Sequence, residues 1–176
     1  MKYKFKLTNT TGYRSPNGYM KRLTMFVGDE QAVQQGKWTN LNGELKVSFN
    51  FKVQDKVYQV IVESPTYWNK NLPPRGIFDE NGSDNWSTWS SDTSDPEQVW
   101  ISVETDMPIT RFEYLNHGYG ASQYWDRNRY NDKLLLTEET TNTIIFDGNT
   151  PAKQTISVDV PMKLYYHNKN TFISFK

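Results

Sequence analysis

The chain has 176 residues, 15% of them aromatic, and its 20 basic residues are balanced by 20 acidic ones; that length gives room for one domain (1–176) with a sizeable core. Zero net charge argues against non-specific nucleic-acid binding, which works by neutralising phosphates, and against attraction to anionic lipid. Cysteine is absent, which excludes disulfides, thiolate nucleophiles and cysteine metal sites.

No apolar run reaches the roughly 18 residues that a membrane span needs, so no membrane insertion is expected. Lys2, Lys4 and Lys6 alternate with Tyr3 and Phe5 where a signal peptide would need an unbroken apolar stretch. The expectation is synthesis in a reducing cytoplasm without a signal peptide.

Taken in chain order, period-two alternation dominates. Tyr3, Phe5 and Leu7 alternate with Lys2, Lys4 and Lys6, which predicts a strand with rings on one face and solvated lysines on the other. Residues 20–27 are the next strand. Residues 30–35 can form a single helical turn ended by Gly36. Leu45, Val47, Phe49, Phe51 and Val53 then alternate with polar residues, Gln54-Asp55-Lys56 turns the chain, and 57–62 runs back. This is the clearest hairpin signal in the sequence. Further strands are expected at 99–103, 109–115, 133–136, 143–146, 155–160, 162–166 and 171–175. Turns such as Asp147-Gly148-Asn149 separate most of them. No segment carries a helical apolar stripe over three turns. The fold class is therefore all-β, an antiparallel β-sandwich.

Two irregular stretches stand out, 64–97 and 116–132. Loops longer than about 12–15 residues in a compact domain are usually functional or disordered, and the tryptophan, tyrosine and arginine content of these two favours function. The first contains Ile77-Phe78-Asp79-Glu80-Asn81, then Ser83 and Trp86, then a strand led by Trp100 and, after it, Pro108-Ile109-Thr110-Arg111-Phe112. This order resembles the discoidin or coagulation factor 5/8 type C family of galactose-binding-like domains, and a bacteriophage version of it. The likeness covers 73–146. Glu104 stands where aspartate is usual, the following glycine is missing, and the family's turn after 133–137 is absent. The resemblance implies a jelly-roll sandwich that binds ligands with its loops, opened by a strand pair at 3–8 and 20–27. In that frame the hairpin near 43–63 looks like an insertion. Trp86 takes the core position and Trp89 one nearer the rim, or the two are exchanged. Trp100 reads as core, because Ile101 and Val103 continue a buried strand.

Sugar binding requires an aromatic platform beside planar hydrogen-bonding groups. His117, Tyr119, Tyr124, Trp125, Arg127, Asn128, Arg129 and Tyr130 supply that mixture, with Trp89 as a further ring. Trp125 is expected to stack, and Arg127 with Asn128 to orient the ligand; the plainer alternative is a rigid loop packed on the sandwich end. Asp79, Asn81 and Asp84 offer the hard oxygens that calcium prefers. They read more simply as metal-free Asx turns, and Glu80 replaces a glycine usual in the family. No other cofactor is expected. Catalysis has little support: His117 and His167 lack metalloprotease spacing, and solvation explains Asp126 and Asp132 more simply than an acid/base pair.

The expected function is a non-catalytic module. The resemblance implies a bacteriophage virion component (capsid decoration, tail or fibre) on the virion surface, touching host glycans. A stand-alone lectin-like carbohydrate-binding module is one alternative. A purely structural assembly protein, whose loops bind neighbouring virion subunits or further copies in a homo-oligomer, is the other.

Overall fold

A computed structural model describes residues 1–68, 72–78, 88–117 and 129–165. In chain order its strands are β1 (Lys2–Thr8), β2 (Tyr19–Val27), β3 (Glu30–Gln31), β4 (Val33–Asn42), β5 (Lys46–Val53), β6 (Lys56–Glu63), β7 (Thr88–Ser90), β8 (Trp100–Thr105), β9 (Arg111–Leu115), β10 (Lys133–Glu138), β11 (Thr143–Asn149) and β12 (Thr155–Asp159). Short 3₁₀ turns occupy Pro74–Ile77 and Pro96–Gln98. The larger sheet runs β11-β10-β1-β8-β6-β5-β4 and the smaller β12-β9-β2-β3, with β7 also on β2. Every pairing is antiparallel. The two sheets pack as a sandwich, the all-β class that the alternation predicts.

The alternation in β1 sets the inner face. Tyr3, Phe5 and Leu7 are buried. The rings of Tyr3 and Phe5 meet Phe112 of the opposite sheet edge-on, with centroids 5.1 and 5.0 Å apart. Such pairs add about 0.5–1.5 kcal/mol each beyond the area they bury. The hairpin of β5 and β6 turns through Gln54 and Asp55 at φ 50 and 61, the twist that a two-residue hairpin loop needs. It sits within the larger sheet, where β6 pairs with β8. Val47, Phe49, Phe51, Val53, Val60 and Val62 all reach the core.

Four expectations need correction. Residues 30–35 form no helical turn. Glu30 and Gln31 pair back onto Val27 and Phe26, and the chain then crosses to the other sheet as β4. This strand carries no alternation because it lies at the end of its sheet and is exposed on both faces. Its ladder to β5 shifts register between Gln35 and Thr39, and Gly36 there has φ 69, a bulge of the kind that protects sheet edges. Secondly, residues 162–165 are not extended: Leu164 N–H bonds to Pro161 O and Tyr165 N–H to Met162 O, at 3.1 and 3.0 Å. This turn drops Leu164 into the core; the strand expected at 171–175 lies outside the described residues. Thirdly, β1 and β2 are not a pair, since β1 lies between β8 and β10 while β2 belongs to the other sheet. Finally, Trp100 faces outward. With Ile101 and Val103 inside, the pleat sends Trp100 to the other face, where it is half-buried under Lys4 Nζ, 4.9 Å from its ring.

Candidate functional site

The end of the sandwich where β1 finishes is built on asparagine. Asn131 pairs with the backbone of Tyr19 as a strand would: its Oδ1 accepts from Tyr19 N at 2.9 Å and its Nδ2 donates to Tyr19 O at 2.7 Å. Asn131 Nδ2 also donates to Asn116 Oδ1 (2.8 Å), and Asn116 Nδ2 donates to the carbonyls of Asn131 and Pro151. Asn9 closes the 10–17 loop by donating to Tyr13 O and Asn17 O and accepting from Gly12 N. Asn17 Oδ1 accepts from Ser91 Oγ and Thr93 N. All four are buried, and each bridges backbone groups that would otherwise be desolvated without partners. Gly18 makes room for this: a Cβ there would lie 2.8 Å from Val99 Cγ1 and 3.1 Å from Asn131 Oδ1.

On this base lies a cluster of rings and guanidinium groups drawn from three segments. Arg14, held at φ 59, lays its guanidinium 4.1 Å from the centroid of Trp68 and donates from Nη2 to Asp92 Oδ1 at 3.0 Å. Arg129 is 3% exposed and stacks 4.3 Å from the Tyr13 ring, with Trp68 at 5.7 Å. Trp68 is half-buried and its N–H bonds to Ser90 O. Tyr13 is 37% exposed. Its carbonyl accepts the Tyr19 hydroxyl. Burial pushes that phenol up to about 12, against the opposing pull of Arg129 and Arg14. Two cations and two rings, one of them open to solvent, are thus gathered at one end.

Comparison with protein-family models, curated proteins and solved structures returns no match. The assignment of a site therefore rests on geometry.

Of the residues expected from sequence, His117 and Trp89 are fully buried. Trp89 belongs to the core and not to a rim: its Nε1 donates to Thr66 O at 3.1 Å. His117 is fixed by a backbone bond to Leu115 O, beneath the surface rather than on it. Tyr130 is half-buried beside Arg129 in the chain. Tyr119, Tyr124, Trp125, Arg127 and Asn128 lie outside the described residues, as do Asp79, Asn81, Asp84 and Trp86. Asp132 acts as a loop cap, its Oδ2 accepting from Thr10 N and Oγ1 at 2.6 and 2.7 Å. Sequence reasoning missed Tyr13, Arg14 and Trp68. The signal for the first two was the turn-rich Tyr13-Arg14-Ser15-Pro16-Asn17-Gly18 run directly after a strand. Among the described residues no group of three or more histidine, aspartate or glutamate side chains is placed to hold a metal. None of their helices is long and apolar enough to cross a membrane.

Proposed function

We propose that this chain is a non-catalytic binding module that makes contact through its asparagine-braced loop end, taking a glycan as its ligand. The observation that carries the reading is the stack of Arg14 on Trp68 and Arg129 on Tyr13, with Tyr13 open to solvent. An exposed ring beside guanidinium donors suits the apolar face and the hydroxyls of a sugar, and a rigid base lowers the entropic cost of binding. The setting we favour is a bacteriophage virion component that touches host glycans, in keeping with the resemblance carried by 73–146.

The test is a glycan array read with the wild type, Tyr13→Ala and Trp68→Ala, each checked by thermal melting. Loss of about tenfold or more in affinity, the worth of one stacked ring, is expected from either substitution with the fold retained. Unchanged binding in both folded variants would remove the loop end from consideration.

A second reading, contact with a neighbouring subunit, is favoured by one row of the larger sheet. Val33, Lys52 and Val57 lie side by side across β4, β5 and β6, and both valines are more than half exposed. Sedimentation of Val33→Lys and Val57→Lys against the wild type separates the readings, since only the subunit reading has these changes shift the assembled fraction.

A further inference from the structure

We infer that the loop end selects a carboxylate-bearing acidic glycan over a neutral one, and that Asp92 holds the place of the ligand's carboxylate on Arg14. This rests on the reading of the loop end as a glycan site and adds the charge of the sugar.

Arg14 and Arg129 converge on one ring, both guanidinium groups lying within 6 Å of Trp68. Two delocalised cations over one indole create a local positive field, and low-dielectric aromatic walls screen it poorly. Their roles differ. Arg129 is buried beneath Tyr13 and holds the platform, whereas the Arg14 side chain is 18% exposed at the rim. Arg14 is also incompletely used. Its Nη2 donates to Asp92, while its Nη1 is buried and makes no hydrogen bond among the described residues. Nη1 is closed to solvent, so a ligand's carboxylate would meet Arg14 through Nη2, the atom that Asp92 holds, in a charge-assisted bond of the stronger kind. Asp92 gives it one bond, from a side chain that is 54% exposed. An ion pair as open as this contributes little and exchanges readily. A uronic or sialic acid could therefore take Nη2 from Asp92 while its ring lies against the partly exposed Tyr13. An acidic peptide would satisfy Nη2 equally but has no comparable use for the stacked ring, so the glycan is favoured.

The experiment is a binding titration of the intact protein with immobilised galacturonate oligomers, sialyllactose and a sulfated galactan. Matched neutral galactose oligomers, lactose and polyglutamate are run beside them at rising sodium chloride. The carboxylated glycans are expected to bind best and to weaken with salt. Arg14→Asn, which suits φ 59, should weaken them about tenfold and the neutral sugars less than twofold. Asp92→Asn, by removing the competing carboxylate, should tighten the acidic glycans about two- to fivefold. Lys163→Gln, exposed in the turn before Tyr165 and away from the loop end, controls for net charge and should change nothing. Neutral sugars binding as well as acidic ones, without salt dependence, overturn the charge inference and leave the glycan reading standing. Preference for the sulfated galactan overturns the carboxylate assignment, and preference for polyglutamate overturns the glycan class. Failure of all probes with folded protein overturns both the inference and the reading beneath it. Weaker acidic binding in Asp92→Asn would show Asp92 to be part of the ligand contact and would refute its role as a stand-in.

Discussion

β1 joins two ends of the sandwich that handle buried charge differently. Where it starts, Glu138 is fully buried and accepts four hydrogen bonds, from Lys2 N, Thr140 N, Thr141 N and Thr141 Oγ1, between 2.8 and 3.0 Å. Burial works against its charge, and these donors outweigh it, holding the carboxyl below its ordinary value. Nearby, Tyr3 and Tyr165 share a 2.6 Å hydroxyl contact and Tyr165 donates to Ile109 O. Where β1 finishes, the charges are guanidinium groups stacked on rings, and Arg14 keeps one buried donor without an acceptor. A buried charge whose bonding sites are filled from within stabilises the fold. One that is filled in part and sits beside an exposed ring is the one that the proposed contact would use.

This contrast can be broken from the core upward. Trp89→Ala should be the costliest change, about 3–5 kcal/mol in urea denaturation, because it empties a fully buried indole site under the loop end. A loss under about 1 kcal/mol would mean that the loop end does not rest on this ring. Asn131→Ala comes next at about 3 kcal/mol, since Tyr19 N and Tyr19 O would lose this partner and Asn116 Oδ1 one of its two donors from Asn131. Hydrogen exchange at Tyr19 should accelerate with it; an unchanged rate would show that the clamp is redundant. Glu138→Gln should cost about 2 kcal/mol at pH 7, as an amide presents an N–H to one of the donors. The sign with pH follows from the lowered carboxyl. Its stabilisation is present above the unfolded value of about 4.3 and fades as pH falls through the lower folded value. The gap between wild type and Glu138→Gln should therefore narrow below about pH 4, and a gap constant from pH 7 to pH 3 would contradict the charged, closed end.

Strands whose two faces see different solvents announced themselves in the sequence. β1, β5, β8 and β9 carry rings or branched residues at every second position, and these residues are buried. β4 was illegible for the opposite reason: solvent reaches both faces, so Gln34, Gln35, Thr39 and Asn40 gave no period. Trp100 and Trp89 misled because a large ring reads as core or as binding surface wherever it falls; only the register decides, putting Trp89 inward opposite Met20 and Trp100 outward opposite Lys6. At the loop end, the sequence marked 64–97 and 116–132 as functional stretches, and Trp68 and Arg129 belong to them. It did not mark Arg14 as their partner. The contacts of Arg14 with Trp68 and of Arg129 with Tyr13 join residues far apart in the chain, and local periodicity holds no information about which loops meet. The asparagine clamps were hidden for a related reason, since a buried asparagine and a turn asparagine are spelled alike.

Arg14→Asn should have the smallest effect on stability and the clearest meaning. It removes the bond to Asp92, an exposed pair of the kind usually worth under about 1 kcal/mol, and the stack on Trp68, worth about 0.5–1 kcal/mol at a partly open site. Against these losses, asparagine tolerates φ 59 better than arginine does, and the unsatisfied Nη1 disappears. The terms nearly cancel, so the variant should unfold within about 0.5 kcal/mol of the wild type in the same urea titration that registers Glu138→Gln. That result would mean that Arg14, strained in its backbone and short of an acceptor, does not hold the fold together. If Arg14→Asn instead costs as much as Glu138→Gln, Arg14 is a structural charge like Glu138, and the two ends differ in sign of charge alone.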